Sequence, residues 1–178
     1  MRRIGNSARS KSGNAMIEYA MLAPVFFMLV GGLIEFVLYQ YKSYALNNVV
    51  YEVARNLQTG EIQAAGSAEA MADAFHDEAC LHASTMIDCE AIVFDVRTFD
   101  AIEDVTYPEP VYDDEGNPVS FVFEPGGAST YSVVRAAIHH QFITPFMAEL
   151  FSMGVNEDGE DLAAILTSFC IVRNEPWA

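Results

Sequence analysis

The order of apolar patterns along this chain predicts an α+β fold, with one long N-terminal helix, membrane-spanning and then amphipathic, packed on a small antiparallel sheet. Three observations carry that reading. Helical signals run without a stop over residues 15–57, and a second helical period occupies residues 67–82. From residue 92 the period switches to alternation, over 92–99, 120–123 and 131–143, as strands require.

The first helix divides at Lys42. Residues 19–34 are sixteen positions without a charge; Glu35 interrupts, and 36–41 continue the run. A membrane crossing takes about 20 apolar residues, against about 7–15 for the apolar part of a secretory signal. No small-x-small cleavage pattern follows the run, so a retained membrane helix is expected over residues 14–41. That leaves 1–13 as a basic cytoplasmic leader and 42–178 as an extracytoplasmic α+β domain. Gly31 and Gly32 suit a place where membrane helices approach closely. Pro24 leaves the Ala20 carbonyl without its usual donor, so a local kink or weak point is expected there. Beyond Lys42, Tyr44, Val49, Val50, Val53, Ala54 and Leu57 recur at helical spacing, opposite Asn47, Asn48, Glu52, Arg55 and Asn56. The helix therefore continues out of the membrane along the domain, and Thr59-Gly60 ends it.

In the second helix Ser67 is the expected cap, with Met71, Phe75 and Ala79 on one face. In the 92–99 strand, Phe94, Val96 and Thr98 face one side and Asp95 and Arg97 the other. An acidic, proline-rich segment, 103–118, follows; its Asp114-Glu115-Gly116-Asn117 is a turn signal. The 131–143 strand places Val134, Ala136, Ile138 and Phe142 together. Thr144-Pro145 opens a short helix that Gly154 would close, and 156–161 is an acidic loop. Residues 162–172 are apolar almost throughout, which favours a helical start passing into a strand near Phe169.

Charge is divided as sharply as hydropathy. Of nine basic residues, Arg2, Arg3, Arg9 and Lys11 precede residue 14 with no acid among them. The remaining five face all 25 acids, leaving −20 on the rest of the chain. Basic residues before an apolar segment stay in the cytoplasm, so the domain is expected in the periplasm of a single-pass inner-membrane protein. No basic stripe exists to neutralise phosphates, which excludes a nucleic-acid partner. Outside the cytoplasm thiols tend to be oxidised, and the short loop between Cys80 and Cys89 suits a disulfide, with buried free thiols as the alternative. Cys170 lies in an apolar run and is expected in the core.

Enzyme signatures are missing: no Gly-x-Ser-x-Gly, no His-Glu-x-x-His, no phosphate loop. His139 and His140 are neighbours on a strand and point to opposite faces, while His76 and His82 are six apart on a helix. Neither pair suits one metal. The acidic loops offer oxygen ligands without the EF-hand spacing, so solvated loops are expected, with bound calcium as the alternative, and no cofactor or metal is assigned.

The residues with chemical content sit at the start. Glu18 lies at the inner edge of a membrane-grade run, where a carboxylate costs up to roughly 2.5–3.5 kcal/mol, less near an end. Gly13|Asn14…Glu18 has the layout of a type IV prepilin processing site: a short basic leader ending in glycine, with glutamate fifth after the cut. Cleavage would create an amine on Asn14. The Glu18 carboxylate could pair with that amine, its own or a neighbouring subunit's, and set an axial register. The competing reading makes Glu18 an ordinary helix-start residue near the headgroups, favoured by the macrodipole.

Gly13-Asn14-Ala15-Met16-Ile17-Glu18-Tyr19-Ala20-Met21-Leu22-Ala23-Pro24 resembles the start of TadE-like pseudopilins of the tight-adherence (Tad) pilus: glycine, glutamate followed by an aromatic and alanine, then proline. A second glutamate near the end of the span is common there, and Glu35 matches it. Arg173-Asn174-Glu175-Pro176-Trp177 resembles the family's Arg-x-Glu-Pro-aromatic terminus. The resemblance implies a pilin-like, non-enzymatic minor pseudopilin. Its expected partners are a prepilin peptidase, other pilins and pseudopilins, and the Tad inner-membrane assembly platform. It makes Gly13, Asn14 and Glu18 the processing residues, and Glu18, Tyr19, Pro24 and Glu35 the packing and assembly residues. Asn14 stands where the family commonly has alanine. The alternative from another class is a permanently anchored periplasmic binding or scaffold protein.

Overall fold

One helix organises the molecule. In the computed structural model, which describes residues 11–83, 85–106, 121–151 and 164–177, α1 runs from Lys11 to Thr59 with its helical backbone continuing through Pro24. Its two halves meet different surroundings. Over 15–29 the apolar side chains, among them Met16, Met21, Phe26 and Leu29, are exposed. Over 45–57 one face is completely covered: Leu46, Val49, Val53, Ala54 and Leu57 form the floor of the core. Ala15–Thr59 contains a stretch long and apolar enough to cross a membrane. The amphipathic continuation expected beyond Lys42 is the part that packs.

Helix α1 stops where Gly60 adopts a positive φ of +82°. A Cβ there would lie 2.6 Å from Trp177, so the indole occupies the space that glycine leaves. Helix α2, Ala68–His82, begins as expected, with the Ala70 N–H donating to Ser67 Oγ at 3.2 Å. Phe75 and Ala79 are its buried residues, and Phe75 makes edge contacts with Phe94 and Phe123. Cys80, near the end of α2, is disulfide-bonded to Cys89 across a sequence separation of 9, with Cα atoms 5.2 Å apart. Closing so short a loop contributes about 2.6 kcal/mol by chain entropy.

Among the described residues the sheet has three strands in the order β1-β2-β3, all antiparallel: β1 Val93–Phe99, β2 Tyr131–His140 and β3 Ala164–Arg173. Val96, Val134 and Cys170 share one register row, and Phe94, Ala136 and Ser168 the next. These rows face the helices, and Ser168 Oγ and Asn47 Oδ1 share a short hydrogen bond between β3 and α1. The fold is the α+β arrangement that the sequence predicts.

Three details differ from the sequence reading. Residues 164–168 are strand rather than the start of a helix, because β3 pairs along the whole ten-residue length of β2. Its alternation is real but hidden: Ala164, Leu166 and Ser168 are buried while Thr167 and Phe169 are exposed, and both sets are largely apolar. The strand over 131–143 ends at His140, and Phe142 leaves the sheet to stack on Tyr39. The strand over 120–123 is a single parallel bridge, Val96↔Phe123, held by Val96 N–H to the Val122 carbonyl and Glu124 N–H to the Val96 carbonyl. The turn at 114–117, Gly154 and the acidic loop at 156–161 lie outside the described residues.

Candidate functional site

Gly13 and Asn14, expected from the sequence as processing residues, lie in the first turn of α1, and Glu18, Tyr19 and Pro24 follow on its exposed half. Glu18, Tyr19 and Pro24 are all exposed. Glycine costs about 1 kcal/mol in a helix relative to alanine, so the backbone at Gly13 unwinds more readily than its neighbours.

Glu35 behaves oppositely. It is only 4% exposed, at the level where the domain first touches α1. Its carboxylate accepts from the Ile143 N–H, the Thr144 N–H (3.1 Å to Oε2) and the Thr144 hydroxyl. Those donors open α3, Pro145–Phe151, the short helix that Thr144-Pro145 foretold. Four residues of α1 above and below the carboxylate complete the seat: Gly31 lies under Thr144, Gly32 under Met147, and Phe36 and Tyr39 line a small apolar pocket with Phe142, Met147 and Phe151. Within the chain, then, the second glutamate of the apolar run is a bracket for α3. The two glycines face the chain's own α3, and a Cβ on either would make ordinary contacts at 3.8–3.9 Å.

Helix α1 thus runs from an exposed apolar half into the core of its own domain. Residues 13–55 match the family model of TadE-like proteins. This is the family that residues 13–24 and 173–177 resemble. The TadE-like match spans the projecting half of α1 and most of the half that floors the core, and it stops four residues short of the helix end. No curated protein and no solved structure gives a significant match to the chain.

The chain's last residues have a structural task. Asn174 is buried, donates through Nδ2 to the Gly127 carbonyl and to Ser132 Oγ at 3.0 Å each, and its own N–H donates to the Thr130 carbonyl. The Glu175 N–H donates to the Gln58 carbonyl, and Trp177 packs on Gly60. The last residues thus tie β3 to the outer end of α1. Arg173 lies over the Tyr131 ring at 5.7 Å.

Two polar features were not found in the sequence. Asp95 is buried and receives Arg135 Nη2 at 2.6 Å, Arg97 Nε at 3.1 Å and the Val122 N–H at 3.0 Å. It pins the 121–124 segment along the β1 edge of the sheet, and Arg135 also covers Phe121 at 4.7 Å. Alternation puts Asp95 on the outer face, but only the register Asp95↔Arg135 brings its partner beside it. His140 is buried among Tyr39 and Phe142 at the end of β2. Burial, with Lys42 adding to it and Glu35 opposing, holds its imidazole below the usual histidine range. His76, Cys80 and Cys89 form a cluster of ligand types, with His76 Nδ1 3.6 Å from Cys80 Sγ. Both sulfurs are spent in the disulfide, so neither carries the thiolate charge a metal requires. Cys170 is half-buried, and burial raises its thiol above the usual range.

Proposed function

We propose that this chain is a minor pilin or pseudopilin of a Tad-type adhesive pilus, a structural subunit rather than an enzyme. It is inserted with its basic leader in the cytoplasm, α1 crossing the inner membrane and the domain in the periplasm. A membrane prepilin peptidase cuts between Gly13 and Asn14. The shortened helix then packs against the helices of other pilins on the assembly platform.

The observation that carries this reading is the TadE-like match over 13–55, which takes in the exposed apolar half of α1 and runs on into the half that packs on the domain. An unaccompanied apolar helix needs either lipid or like helices around it, and a pilin subunit passes from one to the other. Glu18, five residues after the cut, supplies the charge that pairs with an amine at the start of a helix. Cys80–Cys89 suits an oxidising compartment.

Intact mass with N-terminal peptide mapping, in cells with and without their prepilin peptidase, tests the proposal. A chain beginning at Asn14 only when the peptidase is present is the expected result. A leader retained in both strains overturns it and favours a permanently anchored scaffold.

A further inference from the structure

Helix α3 and the residue two before it carry apolar side chains that remain largely exposed among the described residues. Ile143 is 83% exposed, Leu150 59%, Phe151 50% and Phe146 49%. Phe146 and Leu150 are one helical turn apart and share a face. This patch sits at a defined height on α1, because Thr144 lies against Gly31, Met147 against Gly32, and the Ile143 and Thr144 amides on Glu35. Leu33, Ile34 and Val37 of α1 are exposed at the same height.

We propose that α3 is seated in the outer leaflet boundary, with Ile143, Phe146, Leu150 and Phe151 in contact with lipid. The inference rests on α1 being a membrane span, and the dimensions favour it. The uncharged run 19–34 covers about 24 Å of helix, short of a hydrocarbon core of about 30 Å. Such a mismatch leaves the last turns before Lys42 at lipid depth, and a carboxylate at position 35 in lipid contact would be costly. Ile143 and Thr144 lie on that carboxylate, and α3 adds apolar surface at its level.

The backbone obeys the same constraint. Hydrocarbon supplies no acceptors, so amides at this depth need partners within the protein. Glu35 provides them for Ile143 and Thr144. Glu149, exposed on α3, holds the helix at headgroup depth, where an interfacial helix buries its apolar face by about 5–10 Å. A second copy of the chain would cover the patch equally well by composition. Continuity with the apolar surface of the span at one height is what selects lipid.

The test uses the full chain in nanodiscs, with Trp177→Phe as background and single tryptophans introduced by Phe146→Trp, Leu150→Trp, Phe27→Trp or Tyr51→Trp. The discs contain phosphatidylcholine brominated either near the headgroup or near the chain end. Tryptophan at 146 and at 150 should emit at blue-shifted wavelength and lose intensity to shallow bromines more than to deep ones. Position 27 should be quenched by the deep bromines, and position 51 by neither. Loss of quenching at 146 and 150 while position 27 stays quenched overturns the seating of α3 alone. No quenching at position 27 removes the span itself, and the proposal with it. A blue shift at 146 without bromine quenching also overturns it, because protein rather than lipid then covers the patch.

Discussion

Replacing Glu35 by alanine should release α3 without unfolding the sheet. Three donors converge on the carboxylate: two backbone N–H groups at 143 and 144 and the Thr144 hydroxyl. A hydrogen bond to a charged acceptor contributes about 1.5–3 kcal/mol, and a buried donor left unmet costs about 1–3 kcal/mol. Three such bonds would sum to more, but once α3 lifts away its amides reach water. The net effect on the docking of α3 is therefore expected near 3 kcal/mol, roughly a 150-fold change in its opening equilibrium. Glu35→Gln keeps one acceptor oxygen and turns an NH₂ toward donors, so about half the effect is expected. Thr144→Val removes one donor with its acceptor intact, and should cost about 1 kcal/mol.

Amide hydrogen exchange in the full chain reads this directly. In the Ala variant, residues 143–151 should exchange much faster while Val134, Ala136 and Leu166 keep their protection. The ordering Ala, Gln, wild type should hold. Equal exchange at 143–151 in wild type and Glu35→Ala would refute the bracket. If that variant instead lost only its entry into fibres, Glu35 would be an intermolecular contact.

Glu18→Ala should still insert in the membrane but fail to enter fibres, as scored by fractionation of sheared pili; normal incorporation would count against pairing with a helix-start amine. Because His140 is held neutral by burial, its folded pKa lies below the unfolded value near 6.5. Below that value the unfolded chain binds more protons, so stability should fall as pH drops from about 7 toward the folded pKa, and His140→Phe should flatten that part of a denaturation-versus-pH curve. Gly60→Ala forces a side chain into a left-handed turn and against Trp177, so a loss of about 2–4 kcal/mol is expected, together with a changed indole emission. A fragment starting at residue 42 should fold its sheet yet show α3 unprotected in exchange, whereas one starting at residue 31 should protect it. Equal protection in both would place the domain boundary at Lys42, as the sequence suggests.

The long helix, its stop at Gly60, the Ser67 cap and the first strand were legible because each rests on a local rule: period, cap chemistry or the turn freedom of glycine. The stretch over 162–172 was not, since apolar residues on both faces of a strand erase the alternation that distinguishes it from a buried helix. Asp95 and Arg135 were invisible for another reason. They stand 40 positions apart, and only the β1–β2 register, itself a product of packing on α1, makes them partners. The candidate site divided the same way. Gly13, Asn14 and Glu18 form a linear pattern that can be read without coordinates, whereas the duty of Glu35 depends on where residue 143 returns to the helix.

That contrast bears on how the two glutamates work. Both interrupt an apolar helix, and by sequence both fit the same role. Glu35 is enclosed by its own domain, so its charge is satisfied before any partner arrives and travels with the subunit as a fixed part of the fold. Glu18 lies on the exposed start of α1, more than three turns before the first contact with Thr144 at Gly31. A charge that is costly in lipid and less so beside an amine biases the helix toward the environment that supplies the amine. A charge already bracketed exerts no such bias. On the proposed function the first glutamate is the one suited to choosing partners, while the second fixes where α3 meets α1.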